Sequence, residues 1–296
     1  MANKLNAELD LLVDGEGFSG LQVGMVKVFQ SAFTAISKPD SVNGDLKAAR
    51  AASGLRALIP PGKITELEDK PEGRQELLAL FQDLWHGLIN IATRIPYHHC
   101  WSQNLLVKTL QVLKNDSSMW KDLPDLSATM RDKWIDPTFE WHPDEEETYT
   151  LGQWLNLNSF AARLFGSGVF ISNRPPIWQL RQALEDDLAE AKGDCTPAEA
   201  VDNRIAVASE WLIHSGPALH KQCLLESQDL DDALRRSYRA GTHFSGHSGF
   251  NIERWGFWGR RLGELRPTAG GHIASKVSQA IESMSAATAG IAGNQQ

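Results

Sequence analysis

Three cysteines in 296 residues, Cys100, Cys195 and Cys223, are too few and too scattered for a disulfide scaffold. No Cys-x-x-Cys pair is present to hold zinc or act as a redox dithiol, so free thiols in a reducing compartment are expected. No apolar run reaches the roughly 18 residues that a membrane span needs, and the opening MANKLNAELD has no stretch of signal-peptide length. Nor does any segment gather basic residues: 29 Lys and Arg stand against 37 Asp and Glu, a formal charge of −8, which argues against a nucleic-acid binder. No G-x-S-x-G elbow, Walker loop or G-x-G-x-x-G turn follows a strand, which sets aside serine hydrolases and nucleotide folds. The expectation is a cytoplasmic protein that works without membrane, nucleic acid or organic cofactor.

What is present is helical period. From Glu72 to Arg94 the residues Leu77, Leu78, Phe81, Leu84, Trp85, Leu88, Ile89 and Ala92 recur at three- and four-residue steps, a broad apolar stripe. Ile95-Pro96 ends it, and a second helix is expected from Ser102, read as its N-cap, to Leu113. Further helices are expected near 18–36, 45–58, 123–134, 148–170, 176–191, 197–224, 227–239, 250–264 and 271–287, with Pro60-Pro61-Gly62, Asp136-Pro137 and Asn173-Arg174-Pro175-Pro176 as breakers. The reading is an all-α, single compact multi-helix domain of about ten helices, an irregular array rather than a regular solenoid. Residues 1–70 would form N-terminal helices packing on a main helical domain at 71–266, with a C-terminal helix and frayed tail at 267–296. Ten tryptophans against three tyrosines fit either core filling or the wall of a ligand pocket.

Four stretches resemble one family in order: LPDLSATMRDKW from Leu123, WLNLNSFAARLF from Trp154, ALEDD from Ala183 and FNIERWGFWGRRLGEL from Phe250. They are similar to the fungal domain-of-unknown-function 3632 family, over roughly residues 75–265, with the second and fourth motifs the specific part. The resemblance implies a helical intracellular protein of a fungus, found alone or near natural-product genes, and it brings no catalytic residues. Gly256 and Gly259 depart from the family's bulkier or charged residues. A glycine costs a helix roughly 1 kcal/mol relative to alanine, so either a backbone or ligand comes close there or the helix is poor.

The candidate chemistry begins with YHHCWSQN, Tyr97 to Asn104, which straddles a helix corner. His98 and His99 beside Cys100 would lower a thiol pKa, against the plainer reading of Cys100 as a buried inert thiol. Carboxylate–imidazole pairs at Asp83/His86 and Glu210/His214 share helical faces, yet neither has the Glu-x-x-His spacing of a di-iron bundle, and no metal is expected. A terpene-cyclase-like reading would place Mg²⁺ on Asp144–Glu147 or Asp229-Leu-Asp231-Asp232, with Arg235-Arg236-Ser-Tyr238 on the diphosphate, but the downstream metal triplet is missing.

Polar residues stranded on apolar helices carry the rest. Asn156, Asn158 and Arg163 lie on the Trp154 helix, and Glu253 and Arg254 precede Trp255 and Trp258. A buried arginine needs a partner, which the Glu253–Arg254 pair would supply as a structural salt bridge locking two core helices, unless the pair faces an anionic ligand directly. The loop Thr242 to Gly249 would be a lid carrying His243 and His247 or a linker. The site expectation places His98, His99, Arg254 and Glu253 in catalysis, with Tyr97, Trp101, Asn158, Arg163, Trp255 and Trp258 around a small-molecule substrate. The first functional class is a cofactor-independent enzyme of fungal secondary metabolism, of cyclase, isomerase or lyase type. The second is a non-catalytic helical ligand- or partner-binding protein, marked by an exposed groove and no convergent titratable groups, where the enzyme would show a closed polar cluster inside an apolar cavity. The third is a metal-dependent helical enzyme.

Overall fold

The computed structural model describes every residue except 1, 15–16, 35–40, 116–118, 140–148, 170–171, 189–194, 226–229 and 293–296. Among the described residues there are thirteen helices and no strand, as the all-α reading expects. No described helix is long and apolar enough to cross a membrane. The chain divides into two compact units, Met1–Ile135 and Asp136–Gln296.

The first unit holds α1 (Ala2–Asp14), α2 (Gly20–Thr34), α3 (Ser41–Leu58), α4 (Pro61–Glu68), α5 (Gly73–Arg94), α6 (Cys100–Lys114) and α7 (Leu126–Asp132). The stripe of α5 buries Phe81, Leu84, Trp85, Leu88, Ile89, Ile91 and Ala92, and α2 packs between it, α1 and α3. Trp85 and Phe81 meet Trp120 edge to face at 6.2 and 5.3 Å. The chain after Trp120 turns through left-handed Asp122, Leu123 and Asp125, an uncommon conformation outside glycine, and the Pro124 carbonyl accepts the Trp85 indole N–H at 2.6 Å.

Two helices escape the sequence reading. In α1, Leu5, Leu9 and Leu12 form a buried stripe ahead of residue 18, where the expected helices begin. In α4, Pro61 stands at the helix start, where its missing N–H is not needed, and Ile64 and Leu67 are buried; the Pro-Pro-Gly breaker is thus a helix initiator. The expected cap at Ser102 is also corrected. His99 is the N-cap of α6, because a turn from Pro96 O to His99 N at 2.8 Å delivers the chain early, and Ser102 lies buried inside the helix.

The second unit is built on α10 (Pro197–Leu225), which packs against α8 (Leu151–Gly166), α9 (Arg174–Leu184), α12 (Ile252–Leu265) and α13 (Gly271–Ala292), with the short α11 (Asp232–Ser237) beside them in sequence. Thr150 and Gln153 form a reciprocal capping box that starts α8. Pro217 interrupts the α10 ladder, and Ser283 Oγ of α13 donates to the Leu212 carbonyl at 2.9 Å in that turn. Gly256 and Gly259 do not break α12. A methyl group at either would meet only Arg260 or Met284 side-chain atoms at 3.6 Å, so no backbone approaches and the glycines simply weaken the helix.

Candidate functional site

Two motif charges of the second unit, Glu185 and Arg254, meet in one buried cluster. Asn251 caps α12 by accepting the Arg254 amide at 2.7 Å, which sets Arg254 one turn before Trp258 on the inner face. Glu185 directly follows α9 as its C-cap. Its carboxylate takes Arg254 Nε at 2.6 Å and Nη2 at 2.9 Å, the Trp258 indole N–H at 2.6 Å and the Gly241 amide at 2.9 Å. The remaining Arg254 donors reach the carbonyls of Tyr238 at 2.8 Å, Gly249 at 3.0 Å and Arg239 at 2.9 Å. All five guanidinium N–H groups are therefore satisfied internally, and both side chains of the pair are 0% exposed. Chemically, no donor is left over to meet a substrate anion.

The same pair fastens the loop read as a lid or linker. The Glu185 carbonyl accepts His243 N at 2.7 Å, and His243 Nε2 lies 2.9 Å from Asp187 Oδ1. Gly241 is required here, because a Cβ would fall 2.5–2.7 Å from Asp186 and Glu185 atoms, and Gly249 has φ 93°, a left-handed turn that favours glycine. Phe244 is buried, with its ring 5.6 Å from the guanidinium.

A second cluster forms around Glu210 of α10. Its Oε2 accepts Ser159 Oγ at 2.5 Å and meets His214 Nε2 at 3.2 Å, while Oε1 is bonded to Lys276 of α13. Burial raises the Glu210 carboxyl, but hydrogen bonding by His214 and the charges of Lys276 and His214 overcome it and hold the group down at about 2. A carboxylate depressed from the ordinary 4.5 contributes stability that is complete above that value and disappears as pH falls through the folded value. The unfolding midpoint of the second unit should therefore drop between pH 4.5 and about 2, and Glu210→Gln should flatten that segment of the profile when denaturant melts are repeated along a pH series.

The other expected site residues fall partly in the second unit and partly in the first. Asn158 is fully buried between Trp154 O, to which it donates at 3.0 Å, and the Trp211 indole N–H, which it accepts at 2.9 Å. Arg163 is buried on the same helix, but Glu253 is exposed, and the carboxylate opposite Arg254 is Glu185. Trp255 stacks beside His220 at 5.0 Å and donates to Thr288 Oγ1 at 3.2 Å. Tyr97, His98, His99 and Trp101 belong to the first unit, where the His98 and His99 rings sit edge to face at 4.9 Å and His98 is exposed.

Cys100 is exposed, not buried as expected, because it opens α6 on the solvent side. Burial instead pushes the Cys223 thiol up to about 12, against the opposing Arg254 charge, so Cys223 is an inert core residue at neutral pH. Among the described residues no group of three His, Cys, Asp or Glu side chains could hold a metal ion. Asp231 caps α11 through the Leu234 amide at 2.7 Å, whereas Asp144–Glu147 and Asp229 lie outside the described residues.

Sequence reasoning missed three participants: Glu185, Ser159 and Lys276. Glu185 had a signal, since it stands in ALEDD immediately after the apolar face of α9, and buried Arg254 required a carboxylate from another element. Ser159 and Lys276 had none, as a single hydroxyl and a single lysine on helices read as ordinary surface choices.

Residues 85–262, which include every member of these two clusters except Lys276, match a family described as a protein of unknown function, DUF3632. No curated protein and no solved structure was found to match the chain. The match spans more than half of the sequence, and the chain belongs to the DUF3632 family.

Proposed function

We propose that the protein binds a small-molecule ligand without transforming it, with the charged motif residues of the second unit acting as internal braces. The observation that carries this reading is the complete internal pairing of Arg254 and Glu185, the residues best suited by type to stabilise developing charge. A groove of about 410 Å³ between α2 and α3 of the first unit, with Lys27, Lys47 and Arg50 in its lining, is the other feature that fits a binding protein. The excess of acidic over basic residues supports small molecules over nucleic acids as partners. A cytoplasmic setting and a fungal natural-product context come with the family resemblance and form part of the proposal.

The second reading, a cofactor-independent acid/base enzyme, is favoured by one observation. His214, 19% exposed, is oriented by the buried Glu210 carboxylate, as a general base is. The two separate when purified protein is incubated with a small-molecule extract, isolated by gel filtration and stripped for mass spectrometry. Binding predicts a retained compound released at unchanged mass, with no new product in the extract. Depletion of a compound with appearance of a product, abolished by His214→Ala in a folded variant, would overturn the binding reading and establish the enzyme.

A further inference from the structure

The end of α11 and the two residues after it read Arg235-Arg236-Ser237-Tyr238-Arg239, a serine with arginine at two positions before it and one position after. The helix is six residues long and buries none of them, so it cannot hold itself in water. Beyond its Asp231 cap, it is held from α9. Trp178 and Arg181 lie three residues apart on one face of that helix, and both reach Ser237. The Trp178 indole N–H is shared between the Ser237 carbonyl and Ser237 Oγ, at 3.1 Å from each. Arg181 Nη1 meets the same carbonyl at 3.4 Å.

Arg181 is weakly engaged for a side chain only 15% exposed. Its Nε is buried without a hydrogen bond, with Asp186 Oδ2 at 3.4 Å, and the contact of Nη1 to Ser237 is just as long. Arg254 in the same unit shows the contrast, since all its donors are taken up at 2.6–3.0 Å. Burial pulls the Arg181 guanidinium below its ordinary range; Asp186 opposes this, and the charges of Arg239 and Arg254 add to it. The Nε edge therefore belongs to Asp186, while the Nη1 edge faces Ser237. Asp231 and Asp232 sit one turn before Arg235 and Arg236, at the opposite end of α11 from the serine.

We propose that Ser237 is a phosphorylation site for a protein kinase that selects basic sequence, and that its phosphate latches α11 to α9 through the Trp178 indole N–H and the Arg181 guanidinium. Charge pattern is a means by which kinases choose substrates, and arginines flank this serine on both sides. Ser237 is half-buried, but a helix without buried residues opens locally at little cost and presents it. In the kinase, Ser237 Oγ attacks the γ-phosphorus of ATP and the bond to the bridging oxygen breaks. ADP leaves with that electron pair, and the hydroxyl proton passes to the catalytic aspartate of the kinase. The negative end of α11 opposes a phosphate there, yet a partial charge screened by water is weaker than charge-assisted bonds from an arginine fork. The inference stands apart from the binding reading, because it concerns a different surface and a different reaction.

The test treats the full chain with ATP and either the catalytic fragment of protein kinase C, which selects basic sequence, or casein kinase 2, which selects acidic sequence. Peptide mass spectrometry then locates the phosphate. The first enzyme should modify Ser237 and fail on Ser237→Ala, and the second should leave Ser237 unmodified. In the phosphorylated chain, hydrogen exchange of the Leu234, Arg235 and Tyr238 amides, whose bonds close α11, should slow about tenfold or more, the effect of one charge-assisted hydrogen bond. Arg181→Gln should remove that slowing while Arg131→Gln, in the first unit, should not; Trp178→Phe, which keeps a ring and removes the N–H, gives the same readout should Arg181→Gln misfold. No phosphate on Ser237 from the basic-directed kinase, unchanged or faster exchange after phosphorylation, or slowing that survives in the α9 variants would each overturn the proposal.

Discussion

Glu185→Ala should be the most damaging single substitution in the second unit, lowering its stability by about 3–5 kcal/mol, the usual cost of removing one partner from a buried ion pair. The removal leaves the Arg254 guanidinium, 0% exposed, with only three carbonyl acceptors, and orphans the Trp258 indole N–H and the Gly241 amide as well. At a fall of roughly 2–4 °C per kcal/mol for a protein of this size class, the melting temperature should drop by about 6–20 °C. Hydrogen exchange should locate the loss in α9, α12 and the 238–249 loop, because this carboxylate and its guanidinium join all three segments. A decrease below about 1 kcal/mol, as for a surface ion pair, would show that the pair is not the brace described.

Glu210→Gln should rank second, with a loss of about 2–3 kcal/mol, the range expected when charge-assisted hydrogen bonds are broken. It weakens three contacts at once, to Ser159, His214 and Lys276, and those residues belong to α8, α10 and α13. The ranking below Glu185 follows from exposure: the Lys276 and His214 side chains are 10% and 19% exposed and can turn toward water, whereas Arg254 cannot. Equilibrium denaturation of the two variants side by side checks the order. Equal losses would mean that depth of burial does not set the cost here.

The legible part of the fold was the part written in repeated apolar spacing. The stripe of α5 and the WLNLNSFAARLF helix are long enough for period alone to identify them, and the tryptophans they carry, Trp85 and Trp154, are among the largest fully buried side chains. Helix α4 was hidden because proline reads as a stop, yet at a first helical position it is a start, and only the neighbouring chain distinguishes the two. The candidate site was legible in its logic but not in its partners. That buried Arg254 must meet a carboxylate follows from the cost of desolvation; that the carboxylate is Glu185, 69 residues away, depends on how α9 and α12 pack. The basic groove was invisible for a related reason. Lys27, Lys47 and Arg50 form no run, and only the approach of α2 to α3 gathers them.

Arg254→Lys bears most directly on the claim that the motif charges brace the structure. Lysine keeps the positive charge but offers three donors without a planar fork, so the Tyr238, Gly249 and Arg239 carbonyls and the paired contact to Glu185 cannot all be served. Side chains held for chemistry behave otherwise, since replacing them commonly leaves stability unchanged or improves it. Measured by equilibrium unfolding in denaturant, Arg254→Lys should lose about 2 kcal/mol or more at an unchanged denaturant slope; stability equal to or above that of the native sequence would contradict the brace and return Arg254 to the role of a substrate-facing residue.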